Sequence, residues 1–271
     1  MNLRRAPAWR TGLMLAALTA APLAAQAQAQ ATAPVAPVAP VAPASTASAA
    51  SAASTAGAAS APGRPAPPPI DIKPLGNERF QIGSIVVDKR AGSFVVPGRV
   101  NVVNKPLEYL ATSARGMKAY ETLLELNARG SEFNLACILV GLERDPAGVA
   151  ARSYRRVPQL IGPRVRLSVA WTDAGQRRLL PAAQVLLNPE AGVDPATVEW
   201  AYVGAPASDA RGRFTPDDTG TLIGFVHDPN TIIESVAPIG LGAYGSVRGH
   251  AMLPAPGTAV ELIVEAGSGK K

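Results

Sequence analysis

Residues 164–173 read RVRLSVAWTD, and the alternation in that stretch decides the fold class. Val165, Leu167, Val169 and Trp171 fall on one face of an extended chain. Arg164, Arg166 and Ser168 fall on the other. A period of two with one apolar face predicts a half-buried strand of an antiparallel sheet, and Asp173-Ala174-Gly175 supplies the turn that ends it. Upstream, RFQIGSIVVD (79–88) and SFVVPGRVNV (93–102) are β-branched runs divided by Lys89-Arg90-Ala91-Gly92, a hairpin pattern. Pro97 and Gly98 interrupt the second run and mark an edge position or a bulge. PLEYLATSA (106–114) and KAYETLLEL (118–126) form a second pair joined around Arg115-Gly116-Met117. Downstream, VEWAYVGA (198–205), GTLIGFVHD (220–228) and TAVELIVEA (258–266) extend the strand count, while LPAAQVLLN (180–188) is ambiguous, a short helix being one reading.

One helical pattern stands out, in ARGSEFNLACILVGLE (128–143). Ser131 is placed as N-cap, and Glu132 in the first turn complements the helix dipole. Leu135, Ile138, Leu139 and Leu142 recur at helical spacing, and Pro146 and Gly148 stop the run. Helices are too few for a doubly wound α/β sheet. The expected fold is therefore α+β: a mostly antiparallel sheet with one main packed helix over about 131–143.

The domain, residues 70–266, does not begin at Met1. Arg4, Arg5 and Arg10 precede an apolar stretch (TGLMLAALTAAPLAA, 11–25) and an A-x-A pattern, the signature of a signal peptide over 1–27. The residues after Arg4-Arg5 favour the general secretory route over the twin-arginine one, and no Cys lies near the cleavage point to carry a lipid. Residues 28–69 are rich in Ala, Pro and Ser, with Arg64 the single charge and no aromatic residue. Such a tract cannot bury enough apolar surface to offset its ordering entropy and reads as a disordered linker. The tail 267–271 (GSGKK) is expected to fray. Export places the protein in the periplasm or outside the cell, with no membrane span left after cleavage.

Composition narrows the chemistry. The whole chain carries +6, but four of its 26 basic residues lie before position 70 and all 20 acidic residues lie after it, so the domain is near +2. That balance gives no basic face for nucleic acid. Arg155-Arg156 and Arg177-Arg178 read as solvated loop charges. Cys137, the single cysteine, sits among aliphatics as an inert thiol. Gly240, Gly242 and Gly245 match G-x-G-x-x-G, but no strand of useful length precedes them and two prolines follow, so a Gly-rich loop is the better reading than a dinucleotide site. His227 and His250 stand 23 residues apart with no ligand spacing, and Asp217-Asp218 reads as a turn with Asp caps. No metal, cofactor or catalytic residue is assigned. Glu108, Glu121 and Glu125 sit on or beside predicted strands, and Glu121, in YETLL, would be a candidate acid or base if it pointed inward.

At GSIVVDKRAGSFVVPGRV, PLEYLATSARGMKAYETLLEL, FNLACILVGLE, VRLSVAWTDAG, WAYVGA and GTLIGFVHDPNTII the chain resembles the YdjY-domain family of bacterial exported proteins. The resemblance spans roughly 80–235 and implies no established activity or cofactor. It implies that the Glu of YETLL, here Glu121, follows a position often held by His, and that the next helix carries a polar or His residue early. Those positions are Tyr120 and Asn134 here, and the family's Gly-Ser after the aromatic strand is Gly204-Ala205. The departures favour a binding or structural role, with Glu121, Tyr120 and Asn134 as candidate binding residues and an envelope protein or cell-wall component as partner. The alternative is a periplasmic hydrolase using Glu121 with His227 or His250.

Overall fold

Residues 69–145, 162–187, 198–204, 213–236 and 247–267 are described by the structure, a computed structural model. The expected signal peptide, nearly all of the linker, Arg155-Arg156, the 240–245 glycines and the last four residues lie outside them. The N-terminal meander is β1 (Ile72–Gly76), β2 (Arg79–Ile82), β3 (Ile85–Asp88) and β4 (Ser93–Val100). It is followed by β5 (Tyr109–Ser113), a 3₁₀ turn (Ala119–Glu121), β6 (Thr122–Leu126) and helix α1 (Gly130–Leu139). Next come β7 (Arg164–Asp173), β8 (Gln176–Pro181), a 3₁₀ turn (Ala182–Val185), β9 (Leu186–Leu187) and β10 (Trp200–Tyr202). The last elements are α2 (Thr215–Thr219), β11 (Thr221–Gly224), β12 (Ile233–Ser235), β13 (Arg248–Gly249) and β14 (Ala259–Ala266).

Eight of these strands close on themselves in the order β4-β14-β7-β10-β12-β11-β5-β6, with β6 pairing back to β4. Two seams, β11–β12 and β5–β6, are parallel and the other six antiparallel. The α+β expectation is thus corrected to a mixed β-barrel with appended strands and, among the described residues, two short α-helices. Two things overturn it. The helix predicted over 131–143 ends at Leu139, and the sheet has no open edge at β4 for a helix to flank. The pair read at 106–114 and 118–126 exists, but it is parallel, because the 3₁₀ turn carries the chain back before β6 starts.

Closure depends on one edge of β4 serving two partners. Ser93–Val95 pair with β3, and Gly98–Val100 pair with β6. Pro97 sits at the handover, where its carbonyl accepts the Asn127 N–H at 2.9 Å and its missing N–H leaves no donor stranded. Gly98 lies against β6 so closely that a Cβ there would fall 2.8 Å from Leu126 Cδ2 and nearer still to the Glu125 carbonyl oxygen. The run interrupted by Pro97-Gly98 is therefore one unbroken strand, and the two residues mark the barrel seam. Arg99 Nε donates to Glu125 Oε2 across it at 2.8 Å.

The alternation read in RVRLSVAWTD is observed. Val165, Leu167, Val169 and Trp171 are buried. Leu167 registers with Val264 and through it with Phe94, and Val169 with Leu262 and Val96, so three strands stack inward side chains in rows. Each such side chain, fully buried, contributes about 1.5–3 kcal/mol. Strands β10, β11 and β12 are buried at every position, which is why their short runs carry no alternation.

Helix α1 packs against the barrel through Phe133, Ala136 and Cys137. The Arg129 N–H donates to Glu132 Oε2 at 2.9 Å, and the Ser131 N–H donates to Asp217 Oδ1 of α2 at 2.7 Å. Ser131 is thus capped by a tertiary partner and does not itself cap. Gly141, at φ 89°, ends the helix before Pro146 is reached: its N–H bonds the Ile138 carbonyl, and the Leu142 N–H bonds that of Cys137. Phe133 meets Phe94 edge to face at 5.3 Å between ring centroids. Cys137 is fully buried, and burial pushes its thiol well up.

Candidate functional site

The candidate residues fall in two polar sites. At the first, Tyr109 opens β5 beside Thr122 of β6 and Gly224 of β11. The Tyr109 hydroxyl donates to Asp228 Oδ2 at 2.8 Å, and Asp228 heads the turn Asp228-Pro229-Asn230-Thr231, its Oδ1 accepting the Asn230 N–H at 2.9 Å. Burial first, then the Asp228 charge, push the Tyr109 phenol far above its ordinary range, so it stays a donor. Lys118 Nζ lies 2.6 Å from Glu121 Oε1, 4.0 Å from Glu108 Oε2, and 6.0 and 5.7 Å from the ring centroids of Tyr109 and Tyr120. The hydrogen bond to Glu121 holds the Lys118 ammonium above its usual range. Glu108 is raised, by burial first and next by the Glu121 charge, with Lys118 opposing. Tyr120 projects outward, 64 % exposed, and Glu121 lies half-buried beneath it.

Sequence periodicity missed the Lys118–Glu121 pair. On a strand, residues three apart point to opposite faces; on a 3₁₀ turn they eclipse. Ala119–Glu121 is such a turn, so Glu121 meets Lys118 and does not share a strand face with Leu123.

Neither imidazole is the partner of Glu121. His227, almost wholly buried, pairs through Nδ1 with Glu234 Oε2 at 2.9 Å, and Glu234 also meets the Thr231 hydroxyl. His227 Nε2 is buried with no polar partner among the described residues. His250 Nδ1 accepts the Met252 N–H at 3.1 Å in a local turn. Among the described residues no group of three or more His, Cys, Asp and Glu is placed to hold a metal ion, and no helix is long and apolar enough to cross a membrane.

Asn134 belongs to the second site, where α1 passes the end of β10. The Tyr202 hydroxyl donates to Asn134 Oδ1 at 2.9 Å. The pair opens into a cleft of about 460 Å³, walled by Ile138, Leu142 and Phe214 and bordered by Glu143, Arg144 and Gly204. Gly204, at φ 57°, is required here: a Cβ would lie 2.7 Å from Arg144 Cδ, so its absence lets the arginine stem cross the backbone. The Tyr202 phenol is raised by burial, with the Arg144 charge acting to lower it. The three candidate residues therefore divide. Glu121 and Tyr120 stay together, while Asn134 joins Tyr202 and Gly204, 68 and more residues away in the chain, which no local pattern could reveal.

Neither a search of curated proteins nor one of solved structures returns a match. A model of the YdjY domain matches residues 85–265, from the start of β3 almost to the end of β14. That span is well over half of the 271 residues and contains all eight barrel strands, the Lys118–Glu121 pair and the Asn134 cleft, so the chain belongs to the YdjY domain family.

Proposed function

We propose that this protein is an exported, non-catalytic binding module of the cell envelope. Its first 27 residues act as a signal peptide, its linker gives reach, and the Asn134–Tyr202 cleft receives the ligand or partner group. The observation that carries this reading is the cleft itself: Ile138, Leu142 and Phe214 beside the Tyr202–Asn134 hydrogen bond, in the size range of ligand pockets. Further support comes from Glu121, whose carboxylate is engaged by Lys118 and bonds neither histidine, so the Glu121–His pair that the hydrolase alternative needs is not formed among the described residues.

The test is an NMR titration of the isotopically labelled protein with fractionated envelope extracts. The Asn134 side-chain amide and Ile138 methyl signals report on the cleft. At least one fraction is expected to move them, and Ile138→Lys, placed on the cleft wall, is expected to abolish the shift. If every fraction leaves the cleft signals unmoved, or the lysine variant responds as the parent does, the binding reading is wrong. Cell fractionation checks the localisation: recovery of the uncleaved chain in the cytoplasm alone would contradict export.

A further inference from the structure

Strand β1 ends the sheet: among the described residues it pairs with β2 and nothing else. The groups on its free edge follow from register. The Lys89 N–H donates to the Glu78 carbonyl at 3.1 Å, and beyond that bond β2 and β3 set Phe80 opposite Val87 and Ile82 opposite Ile85. Antiparallel neighbours alternate between hydrogen-bonded and non-bonded pairs, so Phe80 and Ile82 direct their backbone groups at β3 and Gln81 directs its own at β1. Gln81 registers with Lys73, Ile82 with Ile72 and Phe80 with Pro74. Lys73 is therefore bonded inward, and the backbone groups of Ile72 and Pro74 point away from the sheet. Pro74 has no N–H to leave stranded there, which is where an edge strand accepts a proline. The Ile72 N–H and the carbonyls of Ile72 and Pro74 form an open ladder.

The side chains along that edge complement a copy of themselves. Asp71 and Lys73 flank Ile72 on one face, both well exposed, with Lys73 Nζ 3.4 Å from Asp71 Oδ2. Ile72, 46 % exposed, lies on the other face, in register with buried Ile82. An antiparallel second copy related by a two-fold axis at Ile72 sets Asp71 of each copy opposite Lys73 of the other. An axis at Asp71 or at Lys73 would set like charges opposite one another, which is destabilising. The other free edge, β8, pairs only with β7 among the described residues and carries Arg177 and Arg178 with no acid, so it has no opposite charge to offer itself.

We infer that two copies of this chain associate edge to edge through β1, antiparallel and centred on Ile72, so that one sheet crosses the dimer axis. Each Ile72 N–H donates to the Ile72 carbonyl of the second copy, and each Ile70 N–H to the Pro74 carbonyl. The Asp71–Lys73 pairs close the polar face, and the two Ile72 side chains meet on the apolar one. One strand supplies fewer hydrogen bonds than the roughly ten of a typical interface, so the dimer is weak and forms at high protein concentration.

Sedimentation equilibrium of the purified protein, over a concentration series reaching about 1 mM, tests this. The parent is expected to pass from monomer to dimer. Lys73→Asp alone and Asp71→Lys alone place like charges across the axis, and each should weaken the dimer by about tenfold or more. An equimolar mixture of the two variants restores opposite charges and should form heterodimers about as tight as the parent dimer. Ile72→Pro removes the central donors without touching a bond to β2 and should also weaken the dimer by about tenfold or more. Circular dichroism and Tm of all three variants are expected to match the parent. A parent that stays monomeric throughout the series overturns the inference. So does a dimer that either charge variant or Ile72→Pro leaves intact, and so does a mixture of the charge variants that stays monomeric.

Discussion

Barrel closure can be tested at a single methyl group. In Gly98→Ala the added Cβ would sit 2.8 Å from Leu126 Cδ2 and 3.1 Å from Leu126 Cα, with the Glu125 carbonyl oxygen closer again. A leucine methyl can rotate away; a strand carbonyl cannot. The seam between β4 and β6 must therefore part, and it consists of three register pairs, Gly98–Leu126, Arg99–Glu125 and Val100–Leu124. Overpacking that shifts backbone costs about 1–3 kcal/mol. Replacing Gly by Ala returns about 0.4–1 kcal/mol through the unfolded chain. The net is a loss of about 1 kcal/mol. For a domain of this size that lowers Tm by roughly 2–4 °C. Thermal melts followed by circular dichroism measure it, and hydrogen exchange should show the Leu124 and Leu126 amides losing protection first. The sign is what discriminates. On an open sheet edge the methyl would meet solvent, and the variant would be slightly more stable than the parent. A Tm that rises, with Leu124–Leu126 protection intact, would refute a barrel closed at β4.

Other outcomes follow from the same geometry. Phe94→Ala should cost about 3–5 kcal/mol by chemical denaturation, and a double-mutant cycle with Phe133→Ala should recover about 0.5–1.5 kcal/mol of coupling if α1 packs on β4 through this ring pair. Asp217→Ala removes the acceptor for the Ser131 N–H and should destabilise by about 1 kcal/mol, read as faster exchange in the first turn of α1. Glu108 holds its proton more tightly when folded than when unfolded, so its contribution to stability is full below about pH 4.5 and is lost as pH rises through its folded value. Glu108→Gln should therefore be more stable than the parent at pH 7 and equal to it near pH 4. A Tm difference independent of pH would show that the carboxyl is not strained by its neighbours.

The half of the barrel that faces solvent on one side was legible in the chain. Val165, Leu167, Val169 and Trp171 alternate because their strand has one wet face, and Lys89–Gly92 and Asp173–Gly175 turn where the sequence says they should. Strands β10 and β11 were placed within longer runs, but their neighbours were not readable, and β12 was not read as a strand. They are buried on both faces, so residue type no longer varies with position. Of the site residues, Glu121 and Asn134 were picked out as side chains, yet their partners Lys118 and Tyr202 were not. One partner needs a 3₁₀ turn where a strand was expected, and the other lies on a strand far along the chain.

By itself the sequence determined the local extended segments, their turns, the short helix with its acidic first turn, and membership of one family, because these depend on residues close together in the chain. Only the tertiary structure decided that β4 meets β6 and that β5 and β6 run parallel. It alone placed Asn134 beside Tyr202 and Glu121 beside Lys118. Hydrogen bonds between strands use the same N–H and C=O groups at every residue, so side chains can favour a strand without naming the strand it will join.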